Sequence, residues 1–543
     1  MEYKLYYNTI KYLKIKQLIY RVFYKLPRKK IKIYNKDVQI NKLIFPIYGF
    51  IDYPFTEDGY AKFLNDSQKL SFPDAWNNEN KYSKLWLYNL HYFDCLVSKG
   101  FDSKKQFNTD IINQWITDNP VGYGNGWESY PLSLRIVNWI KSLCDYLPRT
   151  KVIEDNLYSQ CVFLNKNIEY HILGNHLFEN AKALIFAGCF FSGPESDKWL
   201  QKGLKIIDKE IDEQILSDGA NFELSPMYHN IILFDILDLY NLAVNNNNTE
   251  LNKRKDIWHR LAIKMLNFSE AMCHPDGDVS FFNDSSIGIA PSFKFLKHYA
   301  ESLGINSFTE LNNDQLKLRL FDKAGYAIIE SSFLKAILDV AKVGPDYIPG
   351  HGHADTLSFE LSLFGHRVFV NSGTSEYGLT KERLRQRQTA AHNTIEVDGE
   401  DSSEVWGGFR VARRAYPSTP IINQSKNDIS ISCSHNGYKR LSGKVTHKRT
   451  WSFKERAILI EDQLYGKYKK ATAHYHVHPD IDVYQEGLDV VLTLKCGKKV
   501  ILASNSEMKV INTTWHPEFG IIKPNKKIVI SPNGSNLTVT IRY

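Results

Sequence analysis

The apolar pattern of this chain changes period once, between about residues 310 and 322, and that change limits the fold more than any other feature. From about residue 80 to 310, segments such as SLRIVNWIKSLCDYL, NHLFENAKALIFAGCFF and YHNIILFDILDLYNLA repeat apolar residues every three to four positions, the spacing that puts one apolar stripe on a helix. From about residue 323, AGYAIIESSFLKAILDVA, DTLSFELSLFGHRVFV and KVTHKRTWSFKERAILIEDQL alternate apolar and polar residues and are broken by turn-forming Gly, Asn and Asp, as in antiparallel sheet. Helices followed by a run of strands predict two packed domains rather than a mixed sheet. A chain of 543 residues is too long for one core. The expected architecture is an N-terminal basic, amphipathic segment (1–45), an incomplete α/α toroid (46–315) and an antiparallel β-sandwich (316–543), with a substrate cleft between the two large domains.

Composition adds three expectations. The net charge of +8 and pI near 8.8 suit a polyanionic partner. Seven scattered cysteines without a C-x-x-C pair suggest free thiols in a reducing compartment. The first residues, MEYKLYYNTIKYLKIKQLIYRVFYKLPRKKIKIY, are basic throughout and lack the uninterrupted apolar core of a secretion signal. They can form an amphipathic helix for a membrane surface or a helix packed on the next domain; packing is the favoured reading, and the expected location is cytoplasmic. No later segment is apolar over a membrane-spanning length.

Three constellations can carry chemistry. In Gly174–Asn180, residues Asn175 and Glu179 fall on one helical stripe with Lys182, and His176 lies beside it; an amide and an imidazolium could bind a substrate carboxylate, or the group could simply cap the helix. In Glu223–His229, Ser225 is a good N-cap and Pro226 fits the first helical position. Tyr228 then sits in the first turn, where the helix dipole would ease phenolate formation, although most tyrosines are merely packed. In Pro349–Asp355, His351 and His353 share one side of an extended segment, and Asn371 and His392 lie at strand edges downstream. Two imidazoles and an oxygen donor suit zinc, while buried, internally bonded histidines are the plainer alternative.

The order of G-N-H-L-F-E-N, E-L-S-P-M-Y-H, H-P-D-G-D-V-S-F-F-N-D-S, G-H-G-H-A-D and A-H-N-T-I-E-V-D-G resembles the heparinase II/III family, as do LWLYNLHYFDCL and NGWESYPLSLRIVNWI further upstream. Alginate lyases of the same two-domain build are similar too. The resemblance runs from about residue 80 to the C-terminus and implies β-elimination on a uronic-acid polysaccharide. It implies that Asn175 and His176 neutralise the uronate carboxylate with Glu179 nearby, that Tyr228 transfers protons, that His351 is the partner base, and that Tyr377 is a second candidate tyrosine. It also implies a structural zinc on His353, Asn371 and His392, weakened because the family's middle ligand is Asp and Asn371 is uncharged. Trp127, Tyr130 and Arg135, with Glu223 and His229, are expected to grip the chain. The expected partner is an acidic polysaccharide, not nucleic acid; the oligomeric state is left open. Three rivals remain: a glycoside hydrolase, which would need paired carboxylates from Glu179, Glu223 and Asp284, a non-catalytic polysaccharide-binding or assembly protein, and, third, a zinc hydrolase, against which the sequence has no H-E-x-x-H.

Overall fold

Wherever the sequence repeats at helical spacing, the computed structural model, which describes residues 2–26, 38–306, 315–425 and 428–543, forms helices paired in series. The larger ones are Lys84–Tyr92, Lys105–Asp118, Ser129–Asp145, Lys151–Lys166, Gly174–Phe190, Pro194–Gln214, Pro226–Asn245, Lys255–Ala271 and Phe293–Ser302. They curl into an incomplete toroid around buried aromatic residues that include Trp86, Trp115, Trp139, Trp199 and Trp258. The helix Gly174–Phe190 is buried almost throughout, because its small residues let a neighbour approach closely. A Cβ on Gly188 would stand 2.6 Å from the Leu200 amide nitrogen, and one on Gly203 would stand 2.8 Å from the Ala181 carbonyl oxygen. This helix therefore cannot shift, which matters because its first turn opens into the cleft.

The last of these helices ends at Ser302 and the first sandwich strand begins at Lys317. The expected joint overlaps residues 307–314, which lie outside the described residues. One antiparallel sheet runs in the order Met508–Trp515, Lys523–Ile530, Ala471–Val477, His366–Phe369, Phe359–Leu363, Leu334–Asp339, Tyr326–Glu330, Lys317–Phe321. The other runs Ile421–Gln424, Ile429–His435, Thr446–Lys454, Ala457–Tyr465, Asn536–Arg542, Lys499–Ser504, Asp489–Thr493, Asp482–Glu486. Strand Thr446–Lys454 alternates strictly between buried and half-buried residues until its exposed end. Its register, with Trp451 opposite Ile460, sends Trp451 and Phe453 into the layer between the sheets with Phe359, Phe369 and Tyr475.

One loop, centred on Asn283 and Asp284, ties the domains together. Asn283 donates through Nδ2 to the Leu224 carbonyl (3.0 Å) and accepts the His353 N–H on Oδ1 (2.9 Å). Ser225 Oγ donates to the Asp284 carbonyl at 2.6 Å. The N-terminal helices Glu2–Ile10 and Ile15–Phe23 lie against both domains: on the sandwich side Trp406 donates to Thr9 (3.1 Å) and Gln17 donates to the Tyr347 carbonyl (3.3 Å), and on the toroid side the Tyr20 ring packs 4.8 Å from that of Tyr170. Among the described residues, no helix is long and apolar enough to cross a membrane.

Candidate active site

Two helix starts on the toroid and two loops of the sandwich converge at the domain boundary. Helix Pro226–Asn245 begins as the sequence predicts: Ser225 Oγ accepts the Tyr228 N–H (3.2 Å) and Pro226 occupies the first turn, so Tyr228 projects from a fixed point. Helix Gly174–Phe190 begins differently, after Leu173 at φ +70° and without a side-chain cap. Gly174, at φ +58°, lies so close to Glu223 that a Cβ would stand 3.0 Å from Glu223 Oε1. The Asn175 backbone N–H in turn favours the charged Glu223 carboxylate.

Asp284 organises the sandwich side. Its fully buried carboxylate accepts His351 Nδ1–H (2.8 Å), His353 Nε2–H (2.8 Å) and both Arg383 terminal nitrogens, one of them at 2.7 Å. Burial alone would raise its pKa, but Arg383 and the two imidazoles hold it well below the ordinary carboxylate range. With Nδ1 hydrogen-bonded to Asp284, the His351 ring turns Nε2 toward Glu223, 3.7 Å from its Oε2. The His351 ring lies 4.0 Å from that of Tyr228 between centroids, tilted by 32°. Tyr228 Oη and Tyr377 Oη are 3.1 Å apart, and Arg383 lies over the Tyr377 ring at 4.9 Å.

Both phenols are held protonated. Burial, then the Asp284 charge, pushes the Tyr228 pKa far above the ordinary phenol value, and Tyr377 moves the same way. This corrects the expectation that the helix dipole eases phenolate formation, because desolvation outweighs the dipole. His176 moves upward: burial disfavours its charge, but the Glu169 carboxylate, 3.2 Å from Nδ1, and then Glu223 favour it more. Tyr130 lines the same wall, its ring 4.3 Å from that of His176. Glu223 is shifted upward by burial, against the pull of His351 and His176.

His176, Glu223, Tyr228, His351, Tyr377 and Tyr130 therefore border one groove, with the Asn175 backbone against Glu223. Other expected site residues do not. Glu179 lies beneath it, buried and hydrogen-bonded to Asp235 in a network where Lys182 meets Asp235 (2.6 Å) and Asp238 (2.7 Å). Trp127 is core, donating to the Asn119 carbonyl (3.2 Å) and packing on Trp115 and Phe163. Arg135 is fully buried; it donates to Gln160 (3.0 Å) and to the His91 (3.3 Å) and Gly126 (2.7 Å) carbonyls, and stacks on Trp115. His229 is also internal, bonded to the Met265 carbonyl (2.9 Å) and the Asn221 N–H (3.2 Å), with burial pulling its pKa down to about 4. These three cannot touch a polysaccharide. The organising pair that sequence reasoning missed is Asp284, considered only as a hydrolase carboxylate, with Arg383. The i,i+4 repeat of Arg383 and Arg387 in TKERLRQRQ is the available signal: both are fully buried, and Arg387 holds the Gly352 carbonyl at 2.8 Å.

For a metal, two of three donors fit. Buried His353 Nδ1 has no hydrogen-bond partner. Nor has either nitrogen of His392, whose ring lies 5.2 Å from that of His353; only the Gln386 backbone carbonyl lies near enough to favour its charged form. Asn371 Oδ1 already accepts the Asn393 N–H (3.1 Å). Among the described residues no cluster of three His, Cys, Asp or Glu side chains is arranged to hold a metal.

The helical and sandwich domains, meeting at a groove with this histidine–tyrosine set, define a two-domain architecture of an α/α toroid followed by an antiparallel β-sandwich. Residues 55–305 match the family model described as the heparinase II/III N-terminus and residues 313–543 the one described as heparinase II/III-like, C-terminal. The chain belongs to the heparinase II/III family. Curated relatives include a heparin-sulfate lyase of Bacteroides stercoris, 26% identical over 65% of this chain and 54% of that protein, and one of Pedobacter heparinus, 28% identical over 48% and 42%. The chain thus spans about half the length of the curated relatives it matches. Among solved structures, one titled heparinase III superposes with a TM-score of 0.68 at 18% identity, covering 97% of this chain and 88% of that one. A heparan sulfate lyase from Pedobacter heparinus gives 0.57 at 17%, covering 89% and 81%. At such identities these two show the shared fold.

Proposed function

We propose that this chain is a lyase that cleaves a uronic-acid polysaccharide by β-elimination in the groove between its domains. The carrying observation is the Asp284–His351–Tyr228 arrangement: a buried carboxylate lies at His351 Nδ1, which leaves Nε2 to serve as the base beside a protonated phenol. A uronate C5 proton is too weak an acid to be removed near neutral pH unless the adjacent carboxylate is neutralised. The Asn175 amide and the protonated His176 supply that neutralisation, the logic of an oxyanion hole. His351 Nε2 takes the C5 proton, the C5 electron pair forms the C4=C5 double bond, and the C4–O4 bond breaks. Tyr228 passes its proton to the departing oxygen, and Tyr377 Oη, 3.1 Å away, steadies the phenolate left behind.

Hydrolysis is less well supported. Both oxygens of Asp284 are engaged and Glu179 is buried with Asp235, so Glu223 is the one carboxylate of the three at the groove. The curated relatives support testing glycosaminoglycans first. An ultraviolet-monitored screen of heparan sulfate, hyaluronan, chondroitin, alginate and capsular polysaccharides tests the reading: a new unsaturated product supports it, whereas reducing ends released without ultraviolet absorbance would point to hydrolysis.

A structural zinc on His353, Asn371 and His392 belongs to the same proposal. His353 fits best, since Asp284 fixes its Nε2–H and leaves Nδ1 as an acceptor. The Asn371 amide adds no charge, so weak binding is expected. Zinc added to chelator-treated protein should raise its melting temperature, and Asn371→Asp should enlarge that rise; no shift in either protein would refute the assignment.

A further inference from the structure

The chain's positive charge lies outside the domains that form the groove. Residues 1–32 contain ten Lys and Arg and one acid, Glu2; set against chain totals of 68 and 60, this leaves 58 basic and 59 acidic residues in the remainder. The whole net charge of +8 therefore belongs to the N-terminal segment, and the other 511 residues sum to −1.

That segment is also where aliphatic side chains face solvent. Helix Ile15–Phe23 turns Gln17 and Tyr20 inward, followed by Tyr24; Tyr20 packs on Tyr170 (4.8 Å), Tyr24 on His171 (4.7 Å), and Lys14 pairs with Glu213. The opposite stripe is Ile15, Leu18, Ile19 and Val22, continued by Leu26 beyond the helix. Ile15 is 75% exposed, Ile19 60%, Val22 65% and Leu26 56%. At 100° per residue, Lys16 flanks one side of this stripe and Arg21 and Lys25 the other. Tyr3 and Tyr7, both exposed, extend the surface along helix Glu2–Ile10.

From this combination we propose that the outer face of helices Glu2–Ile10 and Ile15–Phe23 docks on an anionic lipid surface. A soluble polyanion would need the cations and not the aliphatic row, and an uncharged apolar partner would need the row and not the cations. Basic flanks beside an apolar stripe, with tyrosines at its border, match the layering of a charged headgroup region over acyl chains. The inner face already rests on residues 168–171, next to the Glu169 that pairs with His176. Docking therefore brings the lipid surface within about one helix diameter, ~10 Å, of one wall of the groove.

The test is co-sedimentation of the full chain with vesicles of phosphatidylcholine alone and of about three parts phosphatidylcholine to one part phosphatidylglycerol at low salt. Binding is expected to the anionic vesicles and not to the neutral ones. Removing two cations with Arg21→Gln/Lys25→Gln should weaken it on the order of twentyfold, at roughly fivefold per cation. Ile19→Glu/Val22→Glu should weaken it at least about tenfold, while melting and ultraviolet-detected lyase activity stay unchanged because none of these residues borders the groove. Failure of the wild type to sediment with anionic vesicles would overturn the proposal, as would undiminished binding by both variants. So would a wild-type dimer that Ile19→Glu/Val22→Glu returns to a single chain, since the face would then join two copies. Equal binding of wild type and the Ile19→Glu/Val22→Glu variant to soluble heparan sulfate, without vesicle binding, would assign the segment to polysaccharide.

Discussion

Asp284→Asn changes one atom and tests the whole arrangement. Asp284 is fully buried and bears a negative charge against Arg383, which is itself fully buried. The amide leaves the guanidinium without a counter-ion, and breaking a buried ion pair from one side costs about 3–5 kcal/mol. The catalytic loss has a separate origin. The Asp284 oxygen now compels His351 to carry its proton on Nδ1, 2.8 Å away. An Asn side chain can instead offer N–H to that nitrogen, moving the proton to Nε2 and removing the base. The equivalent carboxylate-to-amide change beside a catalytic histidine costs about 10⁴-fold in a serine protease, and a loss of about 10³–10⁴-fold is expected here. Rates should be measured by ultraviolet absorbance at a temperature where circular dichroism shows the variant folded. Asp284 acts through His351, so the double variant Asp284→Asn/His351→Ala should be no slower than His351→Ala alone. Losses that multiply, or near-wild-type turnover in Asp284→Asn, would refute the reasoning.

Tyr228→Phe should lower turnover about 10²–10⁴-fold with the melting temperature nearly unchanged, because among the described residues the hydroxyl's single hydrogen-bond partner is Tyr377; an active Phe variant would end its role as proton donor. Asn175→Ala should cost about 10²–10³-fold, chiefly in kcat, as expected for a donor to a developing enolate. Arg135→Met should destabilise by about 2–4 kcal/mol, through loss of contacts to Gln160, His91 and Gly126, without changing KM; a raised KM would return Arg135 to the groove. Stability should fall as pH drops from about 6.5 to 4: burial lowers His229 to about 4, so the unfolded chain binds a proton that the native state refuses. That single group accounts for about 3 kcal/mol across the window; other histidines, His353 and His478 among them, are lowered by burial too, so His229→Gln should reduce the pH dependence of thermal melting there by its own share without abolishing it.

The fold was legible because period is a local property. Alternation in KRTWSF can satisfy a sheet with one face buried, and the pairing of Trp451 with Ile460 follows once that face is chosen. Tyr228 was legible for the same reason, since Ser225 and Pro226 set the helix start within three residues. The hub was not. The partners of Asp284 lie 67, 69 and 99 positions away, and no local pattern distinguishes its carboxylate from those of Asp276 or Asp278. Trp127 and Arg135 were misread because an aromatic beside a guanidinium looks like a sugar platform. What decides is which helical face they occupy, and theirs turns toward Trp115 in the core.

The same distinction between a total and its location changes the meaning of the charge. A net charge of +8 read over the whole chain implies long-range attraction of a polyanion, yet residues 33–543 sum to −1. The domains around the groove therefore gain little from steering by net charge, whose reach in any case is cut to about 8 Å at physiological ionic strength. On the proposed reading, recognition of a uronate must come from groups that touch it. The groove supplies few: the His176 imidazole, whose charged form Glu169 favours, the phenols and, on the proposed reading, the Asn175 amide. Arg383, the nearest guanidinium described, is bound to Asp284. On the proposed reading, an active site built this way would neutralise one carboxylate at the reacting sugar and offer little to charges further along the chain. Selectivity then depends on where a uronate sits relative to the bond that breaks, more than on how densely the polymer is charged.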